Sequence, residues 1–191
     1  EASQFLPGTL QRSLITGAFS TPFGTPNEIR VLSNRLEWQH NFQITKLLLL
    51  SAGYQFREQQ GENDTGLTNR ILSSNAGFAQ AQFNLWDRLF ATAGIRHDSY
   101  NVFGDATTYR LTGGYLHKET DTKIRGSYST GFRAPTMNEL YFPNFGNSQL
   151  GTEKSQSMDV GIDQYFFSKQ LKFTGGFFWN RYRNLITTTF D

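Results

Sequence analysis

Cysteine is absent from the 191-residue chain, which excludes a disulfide scaffold and any thiolate-held metal. Long apolar runs are absent as well. The longest is the four leucines at 47–50, far short of the roughly 20 apolar residues that a membrane helix needs. Charge of one sign is also scarce: 18 basic and 16 acidic residues leave a net +2. No basic block marks a nucleic-acid footprint. No secretory leader is visible, so the numbering is expected to begin in a mature or internal segment.

Chemistry is equally thin. No nucleophile elbow, phosphate-binding loop or zinc spacing occurs. Asp159 and Asp163 share a strand face but sit roughly 13 Å apart along it, too far for a catalytic carboxylate pair. His40, His97 and His117 fall on different predicted strands. The acidic stretch GENDTG at 61–66 lacks the bidentate glutamate of a calcium loop and reads as a solvated turn. Neither an enzyme nor a cofactor is expected.

Aromatics and glycine are abundant. The chain holds 18 Phe, 8 Tyr, 3 Trp and 18 Gly, although only 37% of it is hydrophobic. Soluble cores are built mainly from Leu, Ile and Val; aromatic and β-branched residues favour strands. Period-two alternation recurs throughout. One row reads Leu32, Asn34, Leu36, Trp38, His40, Phe42 against Val31, Ser33, Arg35, Glu37, Gln39, Asn41. Leu48, Leu50, Ala52, Tyr54 and Phe56 oppose Leu49, Ser51, Gly53, Gln55 and Arg57. Similar rows follow through 78–98, 109–116, 123–129, 157–166 and 171–182. Eight such strands, with partial ones at 10–18 and 185–190, predict an all-β antiparallel meander of about eight to ten strands.

The connections alternate in length. Short turns are predicted near residues 45–46, 86–87, 120–121 and 168–169, and long polar loops at 58–69, 99–106 and 132–154. Brief turns at one end and extended loops at the other suit a transmembrane barrel. A strand of about 11 residues, tilted by about 40°, rises roughly 27 Å, close to the apolar band of such barrels.

Energetics assign the faces. A lipid-facing Arg or Lys at mid-membrane costs about 2–4 kcal/mol. The rows holding Arg96, Asp98, Arg110, Arg125, Asp159 and Asp163 are therefore expected to line an aqueous lumen. The Leu, Phe, Val and Tyr rows should meet lipid. Trp38, Tyr54, Phe56, Tyr128 and Trp179 are expected near strand ends, as an interfacial girdle. The alternative is a soluble sheet with one dry face.

Motifs sharpen this reading. GFRAPTMNELY at 131–141, FGNSQLGTEKS at 145–155, and AGIRHD at 93–98 with FGDATTYR at 103–110 occur in order. Together they resemble the signatures of TonB-dependent outer-membrane receptors, closest in flavour to the cobalamin- and siderophore-type members. Gly151-Thr152 and Ser148 depart from the family's usual Lys-Pro and Pro. The resemblance spans about residues 94–153; the flanking strands agree in pattern only. It implies a barrel of about 22 strands around an N-terminal plug, set in the bacterial outer membrane. That receptor would take up a scarce nutrient such as a siderophore or cobalamin, energised by TonB through the plug. The implied partners are outer-membrane lipid, the rest of the barrel and plug, and the small-molecule nutrient.

Residues 1–191 are then expected to be part of a barrel domain without the plug, whose exposed sheet edges would invite association. A small self-closed passive barrel, porin- or adhesin-like, and a soluble β-sheet binding module are the alternatives. Arg133, Tyr141, Phe142, Phe145 and Asn147 are the candidate ligand-loop residues. Arg133 and Glu139 are expected to pair and fold that loop against the barrel rim. The aromatics would either grip a ligand or pack against neighbouring loops.

Overall fold

A computed structural model of the chain describes residues 9–20, 26–63, 70–141 and 146–187. They form one nine-stranded antiparallel sheet in which every strand pairs with its sequence neighbours. The strands are β1 (Thr9–Ser20), β2 (Pro26–Thr45), β3 (Leu48–Asn63), β4 (Arg70–Leu85), β5 (Leu89–Tyr100), β6 (Gly104–His117), β7 (Thr122–Arg133), β8 (Glu153–Phe166) and β9 (Leu171–Arg183). A single short helix, α1 (Met137–Tyr141), interrupts the connection between β7 and β8. No described helix is long and apolar enough to cross a membrane.

The cross-strand register keeps the two expected faces coherent over the width of the sheet. Phe42, Leu50, Ala81, Ala93, Leu111, Tyr128, Met158 and Trp179 follow one another as partners across eight strands. A one-residue slip anywhere would throw this apolar row onto the polar face. Burial is inverted relative to a water-soluble sheet. Leu111 is 53% and Val160 49% exposed, while Asp98 and Asp163 on the other face are 3% and 5% exposed. Such an arrangement is stable only where the apolar face meets hydrocarbon. On β2, β3 and β9 the outer band runs for about nine residues, roughly 23 Å at the usual rise and tilt.

Four expectations need correction. The strands overrun the apolar band towards the long-loop end, so Trp38, Tyr54, Phe56, Tyr128 and Trp179 lie inside their strands, near the band's edge. The loop expected at 99–106 is a three-residue turn at 101–103. It is tight because Asn101 imitates a strand residue: its Nδ2 donates to the Ile71 carbonyl (3.1 Å), and its Oδ1 accepts from the Ser73 amide (3.0 Å). The loop expected at 58–69 contracts as well. β3 continues to Asn63 and β4 begins at Arg70, which leaves 64–69, outside the described residues. The partial strand expected at 185–190 does not form at 185–187, where the Ile186 amide donates instead to Glu153 Oε1 (2.8 Å); the partial strand at 10–18 is part of β1. A self-closed small barrel is also excluded for the described residues, because β1 and β9 are the two edges of the sheet.

Short turns lie at the opposite end. Residues 85–88 close with Arg88 N donating to the Leu85 carbonyl (3.1 Å), and Trp86 and Asp87 both have positive φ (53° and 52°). That is a type I′ hairpin turn, whose twist matches the strands it joins. Glycine matters sterically at Gly53, where a Cβ would meet the Phe78 ring at 2.3 Å and the Trp38 carbonyl at 2.6 Å. Gly53→Ala should therefore destabilise the folded barrel by about 1–3 kcal/mol. Phe78→Ala should rescue it only in part, since the backbone clash persists. Denaturant titration of the intact protein in detergent checks this; full rescue would show that the ring alone sets the constraint.

Candidate functional site

The segment after β7 folds onto the polar face. Pro135 and Leu140 are fully buried, and Met137 is nearly so. The other buried apolar side chains among the described residues are Leu72 and Ala76, both on the polar face of β4. The small dry core of this chain thus lies where the loop meets the wall. The Arg70 guanidinium of β4 sits 5.2 Å from the Tyr141 ring, which fixes α1 over the start of β4.

Local sequence explains the helix. Thr136-Met137-Asn138-Glu139 is a capping box: Glu139 N donates to Thr136 Oγ1 (3.3 Å), and the Thr136 amide donates to Glu139 Oε2 (2.7 Å). Arg133, the last residue of β7, then ties the loop at its base. Its Nη1 and Nη2 donate to Glu139 Oε2 and Oε1 (both 3.0 Å), and its Nε and Nη2 donate to Glu153 Oε2 (2.8 Å) and Oε1 (2.9 Å). Arg133 and Glu153 are also register partners on β7 and β8. One planar guanidinium therefore clamps two carboxylates bidentately, a geometry that lysine cannot reproduce.

The clamp has an electrostatic consequence. The Arg133 hydrogen bonds, aided by the Thr136 amide and hydroxyl, hold the Glu139 carboxyl below its ordinary value of 4.5 against the opposing effect of burial. A carboxyl depressed in the docked state favours docking above its free value, and that contribution is lost as pH falls through the lower, docked value. Loop docking should accordingly be constant from pH 7 to about pH 5 and weaken progressively once the pH falls below 4.5. Amide exchange at Asn147, whose N–H donates to the Glu139 carbonyl (2.8 Å), reports it. Loss of protection already at pH 6 would contradict the assignment.

Between this segment and the wall lies an open cavity of about 500 Å³, lined among others by Arg57, Gln59, Ser74, Tyr100, Thr136 and Asn138. Arg57, Gln59, Ser74 and Tyr100 belong to the polar-face rows of β3, β4 and β5. Beneath it, Arg96 chelates Asp98 through Nε (2.9 Å) and Nη2 (2.8 Å) and donates from Nη2 to Gln55 Oε1 (3.0 Å). Further along, Asp163 lies between Arg125 (3.8 Å) and Lys172 (3.7 Å), and Ser127 Oγ donates to Asp159. Arg110 shares this face, opposite Gly94 and Ser129. Chemically, these groups offer charge and hydrogen bonds. No described cluster of His, Cys, Asp or Glu is arranged to hold a metal ion.

Of the five loop candidates, Arg133 is committed to carboxylates, Tyr141 covers Arg70, and Asn147 closes the loop through its amide and by accepting from Gln149 N (2.9 Å). Phe142 and Phe145 lie outside the described residues. Sequence reasoning missed Glu153 as the second carboxylate, which only the β7–β8 register brings to Arg133. It also missed Leu72 and Ala76. Their signal was an apolar interruption in a row that should be polar throughout.

An antiparallel wall with lipid-compatible residues outside, ionic rows inside and a tucked-in loop defines a section of an outer-membrane β-barrel. The chain belongs to the TonB-dependent receptor-like β-barrel family, whose model matches residues 3–191. Among curated relatives, the vitamin B12 transporter BtuB of Vibrio vulnificus is 31% identical over 162 residues, covering 83% of this chain and 25% of that protein. Its counterpart in Photobacterium profundum is 27% identical over 126 residues, covering 65% and 20%. Among solved structures, the siderophore receptor PirA of Pseudomonas aeruginosa superposes with a TM-score of 0.72 at 17% identity, covering 92% of this chain and 39% of that one. The ferric enterobactin receptor PfeA of the same organism gives 0.69 at 16%, covering 92% and 31%. At these identities the structural likeness establishes the fold. The chain spans about a quarter of the length of the curated relatives it matches. It is a bacterial outer-membrane protein.

Proposed function

We propose that this chain forms part of the barrel wall, and one inward-folded extracellular loop, of a receptor for energy-coupled uptake of a scarce nutrient, a cobalamin or a ferric siderophore. The observation that carries the reading is the clamped segment at 133–141, which narrows the polar side of the wall and builds a polar cavity against it. In a receptor, a positioned surface at the mouth supplies binding contacts. Cobalamin is favoured over a siderophore because the curated relatives that share sequence with the chain are named vitamin B12 transporters. The charged rows would line the lumen against a plug carried elsewhere in the whole protein, and TonB would act through that plug.

The test uses the full-length receptor in cells that lack other uptake routes. Labelled cyanocobalamin should accumulate against its gradient, and a protonophore should abolish the accumulation. Uptake that equilibrates and ignores the protonophore would mark a passive barrel. Uptake of a ferric siderophore instead would correct the substrate and leave the receptor reading intact.

A further inference from the structure

A second feature lies on the opposite, lipid-facing side. Pairing between β6 and β7 ends at Arg110↔Ser129, and the strands then part. Across the gap, the Tyr109 amide donates to the Thr130 hydroxyl (2.9 Å). β7 and β8 stay paired to Arg133↔Glu153, and β8 and β9 to Lys154↔Arg183. The divergence opens a groove of about 240 Å³, lined among others by Asp105, Thr107, Thr130, Lys154, Arg181 and Arg183.

The height of this groove in the membrane is set by the register. Tyr109, Tyr128 and Trp179 end the apolar band on their strands. The next outer positions are Thr107, Thr130 and Arg181, and the next again are Lys154 on β8 and Arg183 on β9. Each two-residue step rises roughly 5 Å along the membrane normal. The cations therefore sit roughly 5–10 Å beyond the aromatic edge, on the long-loop side, at the level of lipid headgroups.

The groove's charge is not neutralised by carboxylates of its own. Lys154, Arg181 and Arg183 have no ion pair among the described residues. Asp105, the one acid beside the groove, lies 4.0 Å from His97 and leaves a net excess of positive charge. Below the groove and sharing Tyr109 with it runs a shallow apolar trough of about 670 Å³, floored by Ala52, Ala79, Ala81 and Ala93 and walled by Ile95 and Leu111. Small residues there leave room for a hydrocarbon chain that larger ones would fill.

We infer that the groove between β6 and β9 binds the phosphate of an outer-leaflet lipid, with Arg181, Arg183 and Lys154 holding the headgroup and the alanine-floored trough taking one of its acyl chains. The hydroxyls of Thr107 and Thr130 add neutral donors of the kind phosphate oxygens accept. Three cations at headgroup level attract an anionic lipid and steer its phosphate. The site is separate from the nutrient cavity and independent of the nutrient's identity.

The experiment is native mass spectrometry of the full-length receptor in detergent, titrated with bisphosphorylated lipid A, its dephosphorylated form, or inorganic phosphate. Wild-type protein should retain the bisphosphorylated lipid, and the dephosphorylated form should bind far more weakly. The K154Q/R181Q/R183Q variant should lose about a hundredfold in lipid affinity. R181K/R183K, which keeps the charge, should stay within a few-fold of wild type. K46Q/K118Q, which removes cations at the short-turn end, should bind as wild type. Heat-dependent gel mobility of the intact barrel verifies folding of each variant. Equal retention of both lipids, unchanged affinity in the triple variant, or displacement of the lipid by millimolar inorganic phosphate would overturn the assignment.

Discussion

Leu50→Arg in the intact receptor should sharply reduce the amount assembled in the outer membrane. Leu50 lies between Phe42 and Ala81 on the apolar face, one outer position from Ala52 at the centre of the β3 band. A guanidinium there faces hydrocarbon at a cost of about 2–4 kcal/mol, enough to shift the folded population by more than tenfold. The matched inner substitution is Gln82→Arg. Gln82 is an exposed position on the polar face, opposite Thr92, so its new charge meets water. Gln55, a natural first choice from sequence alone, is a poor control because its Oε1 already accepts from Arg96 (3.0 Å); a second guanidinium there adds repulsion unrelated to lipid. Quantifying heat-modifiable receptor in purified outer membranes checks the pair. Equal losses for Leu50→Arg and Gln82→Arg would refute the facing assignment.

Removing the clamp should have the second large effect. Arg133→Ala leaves Glu139 and Glu153 close together without their shared cation, and only the Thr136 cap continues to hold Glu139. Loss of two charge-assisted bidentate contacts should raise the undocked population of the loop by at least about tenfold. The measurement is hydrogen exchange at the amides of Leu140 and Asn147, which donate to the Thr136 and Glu139 carbonyls (3.1 and 2.8 Å). Arg133→Lys should recover little, because a point charge cannot serve two forks at once. Thr136→Val, which spares the clamp, should produce a smaller change. Wild-type exchange in Arg133→Ala would show that burial of Pro135, Met137 and Leu140 suffices to dock the segment. Nutrient affinity measured on the same variants then reports whether docking matters for binding.

The parts of this architecture written in local pattern were readable from sequence. Alternation in period two specifies which side chains share a face, and the inability of Arg96, Arg125 or Asp159 to face lipid says which face is which. The short turns at 86–88 and 167–170 were legible because they interrupt strong strands on both sides. The turn at 101–103 was not, because a stretch punctuated by Ser99, Asn101, Gly104 and Asp105 looks like a loop until Asn101 is seen replacing a backbone partner across 30 residues of sequence. The aromatics were placed at strand ends because a strand was assumed to stop where the membrane does; β2, at 20 residues, continues well beyond it.

The site was legible in part. Pairing of Arg133 with Glu139 followed from a motif seven residues wide. Glu153 follows only from the register of β7 and β8, twenty residues apart. Leu72 and Ala76 are inner-face apolar residues with no purpose until the loop that covers them is known. Arg181 and Arg183 were unremarkable as a pair of surface arginines. They become a site through the parting of β6 from β7, a three-dimensional fact that no local window contains.

The central claim, that the apolar rows meet lipid and the ionic rows meet water, is tested most directly by spin-label accessibility. This chain has no cysteine of its own, and in a full-length receptor freed of any other cysteine, labels are placed singly at Leu111 and Val160, and at their strand neighbours Thr112 and Asp159, in bilayers. Labels at 111 and 160 should relax with molecular oxygen and be shielded from a water-soluble nickel chelate, and labels at 112 and 159 should show the reverse. Nickel access at 111 and 160 matching that at 112 and 159 would contradict the account.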